Sequence, residues 1–159
     1  MRLGVAADHA GFVLREPIAL QLQAAGHEVV DFGSTLYTTE DDYPDVVSPL
    51  AEAVACGDVD RGVAIGGSGV GACIVANKIP GVRASICHDV FSVVRGVEYD
   101  DLNLLVLGAW VVGPELAVEI ARGFAATQFE GEERHVRRLV KLKELEMRYN
   151  KSIQEKVTA

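Results

Sequence analysis

Read for hydrophobic periodicity, the chain alternates short, continuous apolar runs with longer mixed segments. Arg2–Ala7, Glu28–Phe32, Arg61–Ile65, Arg83–Cys87 and Leu104–Leu107 read as strands. Between and after them, the stretches ending near Ala25, Cys56, Lys78, Val97, Thr127 and Asn150 read as helices. Gly26 and Gly57 are placed to stop the first two, and Gly108 closes the last strand. Pro17 argues against an unbroken first helix. Gly33–Tyr43, polar and rich in Thr and Asp, reads as a loop.

Strands separated by helices pair in parallel, because a parallel connection needs a crossover. Continuous rather than alternating apolar strands are those covered by helices on both faces. The expected fold class is therefore α/β. It is a single-domain, three-layer αβα sandwich around a five-stranded, parallel, doubly wound, Rossmann-like sheet. The domain is expected over residues 1–150, with 151–159 as a C-terminal tail. In such a sheet ligands bind outside the carboxyl ends of the strands. Three groups fall there: Asp8-His9, Gly66–Gly71 and His88-Asp89.

A length of 159 residues suits one domain with a substantial core. No apolar stretch reaches the length of a membrane span, and no secretory leader is apparent. Three cysteines, Cys56, Cys73 and Cys87, lack CxxC spacing and fit a reducing compartment, so a cytoplasmic location is expected. A net charge of −8 disfavours general nucleic-acid binding. Residues 131–151 nevertheless carry seven Lys or Arg against four Glu. That basic segment is either a small-anion site or a solvated, salt-bridged helix face.

Four glycines in the six residues Gly66-Gly67-Ser68-Gly69-Val70-Gly71 follow a strand and open a helix. Such a loop exposes main-chain N–H groups to an anion or oxyanion. Gly67-x-Gly69-x-x-Ala72, with Asp89 further on, also matches a dinucleotide fingerprint. A nucleotide-binding module is therefore a competing reading, although the motif follows the third strand and no P-loop pattern is present. Asp8 beside His9 can move protons on a sugar ring oxygen, or can be a helix cap with an incidental histidine. Arg134, His135, Arg137 and Arg138 open the last helix. Arg134 and Arg138, four apart, project from one face and suit a phosphate. Tyr99-Asp100-Asp101-Leu102-Asn103 reads as a helix-ending loop. Cys73, just inside the helix after the glycine loop, is either an activated thiol or a small buried hydrophobe.

Together, Asp8-His9-Ala10-Gly11, the Gly66–Gly71 loop running on to Ala76-Asn77-Lys78, Pro80-Gly81-Val82-Arg83-Ala84 and Glu130-Gly131…Arg134-His135-x-x-Arg138 resemble the ribose-5-phosphate isomerase type B family, which includes galactose-6-phosphate isomerase subunits. The resemblance implies an aldose–ketose isomerase of sugar-phosphate metabolism that works through a cis-enediolate. It implies no metal and no cofactor, and a homodimer or homotetramer with the site between subunits. By the same resemblance Asp8 and His9 serve ring opening, and Gly67, Ser68, Gly69, Val70 and Gly71 hold the enediolate. Arg134 and Arg138 hold the phosphate. Asp100 lies in the family's substrate-binding stretch. The chain departs from the family in four places. Many members have a cysteine base where Gly66 stands, and another branch has a glutamate where Ala72 stands. Tyr99 replaces a ring-opening histidine, and Trp110 replaces a phosphate-binding arginine. Cys73 is the nearest replacement base. A non-catalytic sugar-phosphate-binding subunit is the alternative that these departures raise.

Overall fold

Each apolar run becomes a strand whose two faces are sealed by helices. The computed structural model describes residues 1–33 and 37–157, with side chains through residue 150. In order the elements are β1 (Arg2–Ala7), α1 (Phe12–Ala24), β2 (Glu28–Asp31), α2 (Tyr43–Cys56), β3 (Arg61–Gly66), α3 (Val70–Ala76), β4 (Ala84–Ile86), α4 (Val90–Asp100), β5 (Leu104–Gly108), α5 (Pro114–Ala126) and α6 (Glu133–Val157). The strands form one sheet in the order β2-β1-β3-β5-β4. Every pairing is parallel, with Val5 opposite Val63 and Ala64 opposite Val106.

Alternate residues of the central strands feed two cores. Leu3, Val5, Ala7, Val63, Ile65, Leu105 and Leu107 face the layer of α1, α4 and α5. Ala6, Ala64, Leu104 and Val106 face α2 and α3. Each large side chain buried this way contributes about 1.5–3 kcal/mol from removed apolar surface. That contribution explains why β1, β3 and β5 hold the centre while the short β4 lies at the edge.

The elements match the periodicity, with instructive differences at their ends. α1 is continuous across Pro17. The carbonyl left without a donor there is that of Val13, an exposed residue, so water can satisfy it. α4 continues to Asp100, three residues beyond the expected end, and stops where Asp101 turns left-handed with φ 48°. Its start is capped by Asp89, whose carboxylate accepts the Ser92 N–H at 2.7 Å and the Ser92 hydroxyl at 2.8 Å. α6 runs to Val157, so most of the segment expected as a tail is helical, and residues 158–159 lie outside those described. Among the described residues no helix is long and apolar enough to cross a membrane.

From β1 the chain passes outward to β2, then returns across β1 to β3 on its other side. The carboxyl ends of β1 and β3 therefore diverge into loops on opposite sides, and a crevice opens between them. The Asp8 N–H donates to the Ile65 carbonyl at 3.2 Å, tying the two loops together at their roots.

Candidate active site

The glycine loop leaves β3 and turns at Gly69, whose φ of +79° favours glycine. Its carbonyls are occupied by the neighbouring strand end. The Ala109 N–H reaches the Gly66 oxygen at 2.8 Å, and the Trp110 N–H reaches the Gly67 oxygen at 2.9 Å. Its donors are different. The Val70 N–H is taken by the Ser68 hydroxyl oxygen at 3.3 Å. The N–H groups of Gly67, Ser68 and Gly69 find no acceptor among the described residues. Backbone donors left in this way suit an oxyanion.

Two aromatic rings press on this loop. A Cβ on Gly67 would stand 2.8 Å from the Trp110 indole, and one on Gly71 would stand 2.9 Å from the Tyr43 ring. Gly67 and Gly71 are needed for close approach, and Gly69 for the turn. Trp110 is 77% exposed, so one face of its indole forms a wall beside the loop.

Asp8 and His9 stand at the same end. One carboxylate oxygen of Asp8 accepts the Gly11 N–H at 3.0 Å. The other, Oδ2, lies 3.1 Å from where a Cβ on Gly66 would be. His9 is held by Asp41: one Asp41 oxygen accepts the His9 main-chain N–H at 2.9 Å, and the other accepts from Nδ1. That hydrogen bond, together with the charges of Asp41 and Asp8, raises the His9 pKa above its ordinary value, against a smaller opposing effect of burial. His9 is thereby biased toward the cation, with Nε2 left as its outward donor.

The remaining expected residues lie elsewhere. The Cys73 thiol donates to the Ala84 carbonyl at 3.7 Å and accepts from Asn77 Nδ2 at 3.5 Å. Burial pushes its pKa up. One helical step past Ala72 has carried the thiol into the α3–β4 packing, so the reading of Cys73 as the base is corrected to that of a small packing residue. Asn77 pins the same contact: it donates to the Ala84 carbonyl at 2.9 Å and accepts the Ala84 N–H at 3.0 Å.

Tyr99 and the arginine pair belong to a second cluster, on α4 and α6. The Tyr99 hydroxyl accepts from Arg95 at 2.8 Å, and its ring stacks on His135 at 4.6 Å, within 5° of parallel. His135 is 1% exposed. Its Nε2 accepts from Arg134 Nε at 3.1 Å, while Arg134 also pairs with Glu132 at 2.8 Å. The polar atoms of Glu130, Glu132 and His135 lie within 4.8 Å of one another, and the Arg134 guanidinium already supplies the cation they would attract. Arg138 and Asp100 are exposed. α4 packs into the core on the opposite face of the sheet from α3, and α6 packs on α4. Within one chain, nothing among the described residues joins these arginines to the glycine loop.

Sequence reasoning missed two residues that shape the site, Asp41 and Tyr43, and placed His88 at a strand end without a role. His88 Nε2 accepts the Gly108 N–H at 3.2 Å, beside the glycine loop. Asp41 and Tyr43 sit in the polar stretch read only as loop and helix start. Their sole signal was a run of charged and aromatic residues ahead of a helix.

Free main-chain donors, a carboxylate and a carboxylate-paired imidazole at the switch point of a parallel sheet define an α/β protein that handles a small anionic metabolite. Comparison with known proteins narrows the class. A family model described as Ribose/Galactose Isomerase matches residues 3–142, and the chain belongs to that family. Ribose-5-phosphate isomerase B of Escherichia coli is 40% identical over 149 residues, covering 94% of this chain and 99% of that protein. The D-erythrulose-4-phosphate isomerase of Pectobacterium atrosepticum is 39% identical over 131 residues, 82% of this chain and 86% of its own length. Among solved structures, Clostridium thermocellum ribose-5-phosphate isomerase B superposes with a TM-score of 0.89 at 41% identity, covering 94% of this chain and 99% of that one.

Proposed function

We propose that this chain is an aldose–ketose isomerase for a sugar phosphate of the tetrose, pentose or hexose class, working in the cytoplasm through a cis-enediolate and needing no metal or cofactor. The observation that carries the reading is the set of unpaired N–H groups on Gly67, Ser68 and Gly69, flanked by Asp8 and His9. When a proton leaves the carbon beside a carbonyl, negative charge builds on the carbonyl oxygen. Each preorganised donor facing that oxygen typically stabilises the transition state by about 2.7–4 kcal/mol. Ser68, Val70 and Gly71 complete the cradle. His9 and Asp8 move the ring-oxygen proton when a cyclic aldose opens.

The phosphate falls to Arg134 and Arg138, which suit it by forked hydrogen bonds. Because they lie on the α4–α6 cluster, they serve the loop of a second copy in a homodimer or homotetramer. A groove of about 1060 Å³ beside β4, α4 and α6, lined by Ile86, Phe91, Val136, Leu139 and Val140, supports a partner chain on this face. Tyr99 and Asp100 would approach the substrate from that second copy. Trp110, beside the loop, would give the pocket an apolar wall where charge would favour a longer phosphorylated chain.

The test is exchange of the C2 proton of ribose 5-phosphate with solvent deuterium, followed by NMR and repeated with tetrose and hexose phosphates. Exchange with at least one is expected, and its absence with all of them would overturn the reading. The tethering of Cys73 to Ala84 favours one alternative, a non-catalytic sugar-phosphate-binding subunit. That alternative gives binding without exchange.

A further inference from the structure

An isomerase needs a base for the carbon-bound proton, and we propose that this base is Asp8, acting through Oδ2. The inference rests on the isomerase reading and deepens it. The base must stand beside the donors that receive the enediolate oxygen, because the abstracted proton and the charged oxygen belong to adjacent atoms.

The groups around the loop can be taken in turn. Cys73 is turned into the α3–β4 contact, and burial raises its pKa. Both oxygens of Asp41 are engaged by His9, and that pairing favours an imidazolium, which is a donor rather than a base. His88 Nε2 accepts the Gly108 N–H. The Ser68 oxygen accepts from Val70. Gly66 and Ala72 have no titratable side chain. Asp8 differs. Its Oδ1 is anchored by the Gly11 N–H, which sets the plane of the carboxylate. Its Oδ2 finds no donor among the described residues, and it stands over the Cα of Gly66 where the loop begins. The missing side chain at residue 66 leaves that oxygen open to a sugar carbon lying over the loop.

The step balances within the substrate and one carboxylate. Oδ2 takes the C2 proton of the open aldose. The C2–H electron pair becomes the C1–C2 double bond, and the carbonyl electrons move to O1, which sits on the loop amides. The O2 proton passes to O1, and the Asp8 carboxylic acid returns its proton to C1 as the C2 carbonyl forms. No external oxidant or reductant is consumed.

Asp8 is also assigned to ring opening, so the test uses a substrate that has no ring. Ribulose 5-phosphate cannot close a furanose, because its O5 carries the phosphate. Incorporation of deuterium at its C1 therefore reports proton abstraction alone. With Asp8→Asn, which keeps an oxygen for the Gly11 N–H, exchange at C1 should fall by about 10²- to 10⁴-fold. The dissociation constant for ribulose 5-phosphate, measured by calorimetry, should stay within a few-fold. Retained exchange in Asp8→Asn would overturn the proposal. So would loss of binding equal to the loss of exchange, since that marks a structural role. If Asp8→Asn fails to fold, Asp8→Glu decides. The longer side chain keeps the chemistry but shifts the oxygen, so exchange should fall while binding persists, and unchanged exchange would overturn the proposal. A native enzyme that exchanges no proton with ribulose 5-phosphate, D-erythrulose 4-phosphate or any aldose phosphate would overturn the underlying isomerase reading instead.

Discussion

The crevice at β1 and β3 and the cluster on α4 and α6 are built by different means. In the crevice, neighbouring strand ends set nearly everything. Asp8 is tied to Ile65, the Gly66 and Gly67 carbonyls are tied to Ala109 and Trp110, and among the described residues the N–H groups of Gly67, Ser68 and Gly69 and one Asp8 carboxylate oxygen find no partner. On α4 and α6 two arginines are already answered: Arg134 by Glu132 and His135, and Arg95 by Glu98 and Tyr99. One region holds its donors ready for a ligand. The other answers two arginines within itself and leaves Arg138 exposed. In the proposed reading these are two halves of one site, brought together by a second copy of the chain.

The sharpest way to break this comparison is complementation. Arg134→Ala should raise KM for the sugar phosphate about ten- to a hundredfold, the weight of a hydrogen bond to a charged group. Mixed in equal amounts and reassembled with Asp8→Asn chains, it should recover roughly a quarter of native activity, because a shared site collects both lesions on one side and leaves the other intact. No recovery would place both halves in one chain.

Asp41→Asn probes the crevice alone. It should lower kcat/KM roughly tenfold, as when an orienting partner of a functional imidazole is lost, and move the alkaline limb of the pH profile to lower pH. The sign follows from the raised His9 pKa. The pairing stabilises the fold fully below the ordinary histidine value, and the contribution fades as pH climbs through the raised folded value. The stability gap between native protein and Asp41→Asn should therefore be widest in mild acid and close on the alkaline side. A gap that widens with rising pH would contradict the pairing.

Trp110→Arg combined with Tyr99→His adds charge to both regions. Affinity for ribose 5-phosphate should rise about threefold, the modest value of a partly exposed ion pair. An unchanged or weaker affinity in calorimetry would remove both positions from the site. The smallest effect is expected for Cys73→Ala. Its kcat should stay within about twofold while stability falls by about 1 kcal/mol, because the thiol packs rather than reacts. A large loss of kcat at unchanged stability would return Cys73 to the chemistry.

The comparison also marks how far the residues could be read unaided. The glycine loop was legible because four glycines in six residues are too many for a regular strand or helix, and Asp8 because it ends an apolar run. Cys73 stayed open between a reactive thiol and a packing residue because one residue along a helix rotates a side chain by about 100°, and spacing alone does not say which face packs. Asp41 was missed because its partner lies 32 residues earlier and nothing local marks the pair. The α4 end was placed three residues early because nothing local marks Asp101, which turns left-handed and pairs with Arg83 at 2.6 Å.

By itself, then, the sequence determined the layers, the parallel sheet and the strand end that holds the glycine loop, because hydrophobic period and glycine content act over a few residues at a time. Only the tertiary structure decided which charged groups face one another: Asp41 with His9, Arg134 with His135, Asp8 Oδ2 beside a bare Gly66. Those choices depend on the strand order and on the layer into which each helix is packed. A side chain acquires its partner from elements distant in sequence, after the backbone has been folded.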